Sequence, residues 1–180
     1  EFRFGGWQVP YKDEPIGRAV LDLFSQPFEL LLGRRTYDIW AAYWPRIGAD
    51  SPSHPIAGPF NSVRKHVATH RPDTLEWQNS HALAGDLANA VRALKRQDGG
   101  YLLTHGSGDM VRQLLAAGLV DELRLLIYPV VLGRGKHLFG NNAQPSAFTL
   151  AHSTSTPSGV LLTRYARSGE VRTGAFEEVE

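Results

Sequence analysis

The stretch YLLTHGSGDMVRQLLAAG, residues 101–118, constrains this chain more than any other. Leu102 and Leu103 make a short apolar run, polarity rises at Thr104 and His105, and Gly106-Ser107-Gly108 breaks the run. Met110, Val111, Leu114 and Leu115 then recur at helical spacing, and Gly118 stands where a glycine commonly closes a helix. The pattern predicts strand, glycine turn, helix, with Ser107 as the helix N-cap. A glycine turn there lets a ligand approach the backbone, and the free N–H groups of the first helical turn attract an anion. The same pattern also makes tight turns that hold no ligand, so both roles stay open for this stretch alone.

A second junction of the same kind lies upstream. Residues 28–32 form a short, mostly apolar run suited to a strand buried on both faces, ending at Gly33-Arg34-Arg35-Thr36. Tyr37, Trp40, Ala41 and Trp44 then share a helical face, and Pro45 closes it. Cations are disfavoured at a helix N-terminus, so two arginines there make most sense beside an anion. A third junction follows the short strand at residues 66–69, which His70-Arg71-Pro72 ends.

The rest of the chain supplies the frame. A helical stripe runs through residues 16–24, and residues 86–97 carry the clearest helix, capped by Asp86 with Leu87, Val91 and Leu94 as its buried stripe. Residues 46–59, rich in Pro, Gly and Ser, read as a loop with room for one short helical turn. Residues 77–82 hold another short strand, and the β-rich stretch 123–132 is interrupted by Pro129. Strands at 148–154 and 160–167 flank the hairpin signal Pro157-Ser158-Gly159. The N-terminal arm carries Phe2, Phe4, Trp7 and Tyr11 and is expected to pack on the body; Val171 and Phe176 offer a last contact in a polar tail. Strands alternating with helices, then a hairpin, predict an α/β domain with a mainly parallel sheet and an antiparallel C-terminal edge. Ligands of such sheets bind beyond the carboxyl ends of the strands, where all three junctions would gather.

At 180 residues the chain fits one domain. Its formal net charge of +1 gives no reason to expect nucleic acid or an anionic membrane as partner. It has no cysteine, which excludes disulfides, thiol catalysis and thiolate metal sites. The seven histidines show no metal-ligand spacing, and no stretch approaches the length of a membrane span. The expected setting is the cytoplasm, without a bound metal.

Taken in order, LLLGRRTY (30–37), HVATH (66–70), HGSG (105–108), LVDELRL (119–125) and YPVVLGRGKHLF (128–139) resemble a dihydrofolate reductase-like protein. Within that superfamily the chain is most similar to the C-terminal reductase domain of the bifunctional riboflavin-biosynthesis deaminase-reductase and its stand-alone bacterial relatives. The resemblance covers residues 15–167 and implies a three-layer α/β/α domain that binds NADPH across the strand ends and forms a homodimer. It places Gly33, Arg34, Arg35 and Thr36 at the pyrophosphate and adenosine 2′-phosphate, and Thr69, His70 and Arg71 at the adenosine end. Gly106, Ser107, Gly108 and Asp109 fall on the pyrophosphate. Arginine suits the 2′-phosphate through charge-assisted, often bidentate hydrogen bonds. Trp40, Tyr43 and Tyr128 are candidates to line a pocket for a planar substrate, with core packing as the competing role for the aromatic cluster. Residues 133–136 serve either a substrate phosphate or an ordinary turn.

The resemblance implies an NADPH-dependent reductase. It would transfer hydride to a small heterocyclic, imine or carbonyl substrate, as in 5-amino-6-(5-phosphoribosylamino)uracil reductase or dihydrofolate reductase. The alternative is a module that binds NADPH as a sensor without turning it over. No catalytic residue is assigned, and no deaminase zinc motif is present. Family members also begin with a strand that has no match here; it would pair beside residues 101–105 and could carry a substrate-side acid.

Overall fold

The computed structural model describes residues 4–139 and 144–175. Phe2 and Phe176, expected to make terminal contacts, lie outside the described residues. After a 3-10 turn at Val9–Tyr11, helix α1 spans Glu14–Leu21 and runs into a second such turn at Asp22–Phe24. Asp13 starts α1 in extended conformation, its Oδ1 accepting the Ile16 N–H at 3.2 Å, and Pro15 suits the first turn. Strand β1 (Phe28–Gly33) leads directly into α2 (Arg34–Ala41), so both arginines lie in the first helical turn. Then follow α3 (His54–Ser62), β2 (Lys65–Ala68), β3 (Ser80–Ala82), α4 (Leu87–Leu94), β4 (Tyr101–Leu103) and α5 (Gly108–Ala116).

The first sheet is parallel, in the order β3-β2-β1-β4. Side chains of a strand alternate between its faces, and β1 is apolar on both. Leu30 and Leu32 pack with Tyr37, Phe60, Val67 and Trp77, while Leu31 packs with Val91, Met110 and Leu114. Thus α2 and α3 cover one face, α4 and α5 the other, giving the expected three layers. The carboxyl ends of β1, β2 and β4 lie at one edge, as parallel pairing requires.

The chain then builds a second, antiparallel sheet from β5 (Glu122–Ile127), β6 (Ala147–Ser155) and β7 (Leu161–Gly169), in the order β5-β7-β6. The expected hairpin closes there: the Thr156 N–H donates to the Val160 carbonyl at 2.9 Å, and Gly159 takes φ +82°. β5 stops just before Tyr128-Pro129, in keeping with the missing proline donor. The N-terminal arm is pinned to this hairpin. Ser158 donates its N–H (3.2 Å) and hydroxyl (2.7 Å) to Asp13 Oδ2, and its hydroxyl also to the Tyr11 carbonyl.

Two features depart from the sequence reading. Where one mixed sheet was expected, the described residues form two, and β4 and β5 each pair with a single neighbour. The Tyr101 hydroxyl is buried with no hydrogen-bond partner among the described residues. Burial raises its pKa, and Arg124 and Glu122 of β5 act on it from across the break. The second departure is α3, two and a half turns that begin within the expected loop and run past its end, in spite of Pro55, Gly58 and Pro59. Pro59 has no N–H for the preceding turn, so the helix owes its stability to packing: Ala57 and Phe60 are buried. Its C-terminal end is also held from β2. Lys65 is fully buried, and its ammonium donates to the carbonyls of Asn61 (3.0 Å), Val63 (2.8 Å) and Gln78 (3.0 Å), over the Trp77 ring. Burial pushes Lys65 down to about 8, leaving the ammonium the main form at neutral pH.

Candidate functional site

Two of the three junctions are joined by one side chain. Gly33 is the extended N-cap of α2, and its N–H donates to Ser107 Oγ at 2.9 Å. Ser107 Oγ in turn donates to Thr36 Oγ1 at 2.7 Å. Ser107 adopts the left-handed conformation (φ 60°, ψ 56°) and makes no side-chain cap, so the expected N-cap is instead a link between two loops. The approach is close: a Cβ on Gly33 would lie 2.9 Å from Ser107 Oγ. Gly106, at φ +85°, faces open space, which leaves the backbone of this turn accessible.

The third junction is joined to α2 through Arg34. Its Nε donates to Asp38 Oδ1 at 2.8 Å, one turn along the helix. Its Nη1 donates to the Arg71 carbonyl (3.0 Å) and to the hydroxyls of Thr74 (2.6 Å) and Thr69 (3.4 Å). Thr69 Oγ1 also accepts the Arg71 N–H at 3.0 Å, and Thr74 donates to the Arg71 carbonyl, so residues 69–74 form a compact turn tied to α2. Arg71 lies 3.5 Å from Asp38 Oδ2. Arg35 and His70 are exposed, and the Arg35 side chain has no hydrogen bond or ion pair among the described residues. Asp38 and Thr74 were not singled out in the sequence. The i,i+4 spacing of Arg34 and Asp38 was there to be read; Thr74 carried no comparable signal.

The other candidates are dispersed. Asp109, in the first turn of α5, pairs with Arg112. Trp40 stacks on Phe60 (4.7 Å between centroids) in the core under α2 and α3, with its ring 5.6 Å from that of His105. Desolvation lowers the His105 pKa from 6.5, so the ring is neutral at pH 7. Tyr43 is half exposed, edge-on to Trp44. Tyr128 belongs to the second sheet's end, held edge-on by Trp7 (4.9 Å) and Tyr11 (5.7 Å), and its hydroxyl pKa is raised by burial and by Asp13. The aromatic arm therefore packs on the body through Tyr128.

The residues at the strand ends fit a phosphorylated dinucleotide. An accessible glycine turn would admit a diphosphate, the starts of α2 and α5 offer backbone donors, and Arg35 and Arg71 offer exposed guanidinium groups. Among the described residues no group of His, Asp or Glu could hold a metal ion.

Comparison with known proteins agrees with this architecture. The chain matches the family model of the RibD C-terminal domain over residues 10–162. It is 28% identical over 148 residues to the uncharacterized protein YyaP of Bacillus subtilis (strain 168), covering 82% of this chain and 78% of that one. A putative riboflavin biosynthesis protein from Shewanella sp. PV-4 superposes with a TM-score of 0.62 at 22% identity, over 88% of this chain and 82% of that chain. A pyrimidine reductase-like protein from Corynebacterium diphtheriae gives a TM-score of 0.61 at 17% identity, over 89% and 84%. The structural likenesses establish the fold. With the family match spanning most of its length, the chain belongs to the RibD C-terminal domain family.

Proposed function

We propose that this chain is an NADPH-dependent reductase that transfers hydride to a small heterocyclic, imine or carbonyl substrate. The nearest analogies are 5-amino-6-(5-phosphoribosylamino)uracil reductase of riboflavin biosynthesis and dihydrofolate reductase. The observation that carries the reading is the union of three strand-end junctions by Ser107 and Arg34 into one cradle that keeps exposed cations. The names of the relatives, a putative riboflavin biosynthesis protein and a pyrimidine reductase-like protein, support it.

Bound NADPH supplies the hydride, and the protein supplies position and electrostatics. Gly106 and Gly108 would admit the diphosphate to the backbone, and the guanidinium groups at the α2 end would balance its charge. His105, neutral and beside Trp40, offers a polar group at the end of β4 without adding a charge. In this reading the enzyme is a bacterial cytoplasmic homodimer, with the exposed Leu126, Ile127 and Leu150 of the second sheet as contact surface. No described helix is long and apolar enough to cross a membrane.

Titration of both cofactors by tryptophan fluorescence tests the assignment. NADPH should bind about tenfold or more tightly than NADH, the effect of one charge-assisted phosphate contact. Equal affinities, or no binding, would overturn it. An absorbance screen with pterins, pyrimidine precursors and simple carbonyls then tests turnover; saturable binding with no oxidation of NADPH would leave a sensing module.

A further inference from the structure

We infer that His105 is a catalytic residue, its imidazole N–H polarising the substrate bond that receives the hydride. The inference rests on the NADPH reading and names the residue of this chain that meets the reacting atoms. His105 follows β4 and directly precedes Gly106, whose turn leaves its backbone accessible. It is exposed, and neither ring nitrogen has a hydrogen-bond partner among the described residues. The ring lies against Trp40 instead, with 5.6 Å between centroids and a tilt of 60°. Desolvation nevertheless lowers its pKa, and no charged side chain contributes to the shift. A ring that solvent reaches, yet that protein surrounds closely enough to desolvate it, lines a crevice.

The strand order says what enters that crevice. The cradle runs from the turn after β2, past Gly33, to the Gly106 turn after β4, and the sheet is ordered β3-β2-β1-β4. With the adenosine phosphate at the cations near β2 and the diphosphate at Gly106, the nicotinamide end continues past β4 toward β5. The strands β4 and β5 point the same way. Glu122 and Arg124 at the start of β5 act on Tyr101 at the start of β4. Beyond the end of β5, the His137 carbonyl accepts from Arg112 of α5 at 3.0 Å. The segment after β5 therefore emerges at the same edge as His105 and walls the crevice on its far side.

Reduction of a C=N or C=O bond adds hydride to the carbon and moves the π pair onto the heteroatom, which then takes a proton. NADPH supplies the hydride and leaves as NADP+, and water in the open crevice supplies the proton. A neutral imidazole is too weak an acid to hand over its own proton. Its N–H can still donate a hydrogen bond to the heteroatom as charge builds there, which favours the transition state over the bound substrate. A protonated ring would do so at an electrostatic cost, because the nicotinamide becomes cationic in the same step. The desolvated, neutral ring of His105 avoids that cost.

The test titrates the isotopically labelled histidines by NMR in the complexes with NADPH and with NADP+, which differ in the charge of the nicotinamide ring. His105→Gln identifies the His105 signal. That signal should titrate about half a pH unit lower, or more, with NADP+ than with NADPH. The His70 signal, at the other end of the cradle, should respond to both nucleotides alike. Equal titration of His105 in the two complexes would overturn the inference and leave the NADPH reading standing. A spectrum that neither nucleotide changes would bring down that reading, and the inference with it. Single-turnover oxidation of NADPH, with whichever pterin, pyrimidine precursor or carbonyl is reduced fastest, gives the second readout. His105→Ala should slow hydride transfer about a hundredfold while Tm and the Kd for NADPH hold. His105→Gln keeps a neutral N–H donor and should retain about a tenth of the wild-type rate or more. Wild-type transfer in His105→Ala, or a glutamine no better than the alanine, would refute the role. A rate lost together with Tm in both variants would assign His105 to packing on Trp40 instead.

Discussion

Ser107 gives the sharpest check on the geometry of the site, because its backbone and its side chain pull stability in opposite directions. The side chain makes two neutral hydrogen bonds, with the Gly33 N–H and with Thr36 Oγ1, each contributing about 1 kcal/mol. The backbone sits at φ 60°, which costs a residue with a Cβ about 1–2 kcal/mol. Ser107→Ala removes both bonds and keeps the strain, so it should destabilise by about 2 kcal/mol. Ser107→Gly removes the same bonds and returns at least ~1 kcal/mol of strain, for a net loss of about 1 kcal/mol or less. In a chain of this size 1 kcal/mol moves Tm by about 2–4 °C, so calorimetry resolves the two. A third variant isolates the contact itself. The Cβ of Gly33→Ala would meet Ser107 Oγ at 2.9 Å and Cβ at 3.0 Å, an overpacking that costs about 1–3 kcal/mol in the wild type. In the Ser107→Gly background those atoms are gone, and the cost should fall below about 1 kcal/mol. Ser107→Gly proving less stable than Ser107→Ala, or Gly33→Ala costing the same in both backgrounds, would refute this account of the junction.

Other expectations follow from the frame around the site. The Asp13 carboxyl is pushed up by burial, but hydrogen bonds from Ser158, Thr156 and Ile16 outweigh this and hold its pKa below 3.8. Its folded pKa is thus the lower one, so its contribution is present above pH 3.8 and is lost as pH falls through the depressed value. The Trp7 fluorescence signal should therefore show an acid transition below pH 3.8 that Asp13→Ala lacks; identical acid curves would exclude the tether. Lys65→Met should destabilise by about 2 kcal/mol in urea unfolding, the orphaned carbonyls outweighing the recovered desolvation of the ammonium; a more stable variant would reverse that ranking.

What the sequence disclosed was local. Asp86 caps α4, accepting the Asn89 N–H at 3.0 Å, and Val91 is buried behind it, as the helical stripe required. Gly118 takes φ +67° past α5, with the Leu119 N–H donating to the Leu114 carbonyl at 2.9 Å. The glycine junctions were visible for the same reason, since a glycine's conformational freedom shows in its own neighbourhood. Interactions across the fold were not visible. The targets of Arg34 lie in another turn of the chain, so its basic charge suggested a ligand contact without announcing the hydrogen bonds it makes to Thr69, Arg71 and Thr74. Ser158 reaches Asp13 across most of the sequence, and nothing in either residue's surroundings announces the other. The prolines of residues 54–62 were read by their intrinsic preference, which packing overrode.

That override has a bearing on how the chain assembles. A nine-residue helix with two prolines and a glycine has almost no tendency to form alone, and the ammonium that holds its last carbonyls arrives on β2. Helix α3 is therefore expected to consolidate after β2 has docked on β1, late in folding. Substitutions within it would accelerate unfolding and leave the folding rate nearly untouched. The lifetime of the folded state, more than the speed of reaching it, is what this helix and Lys65 govern.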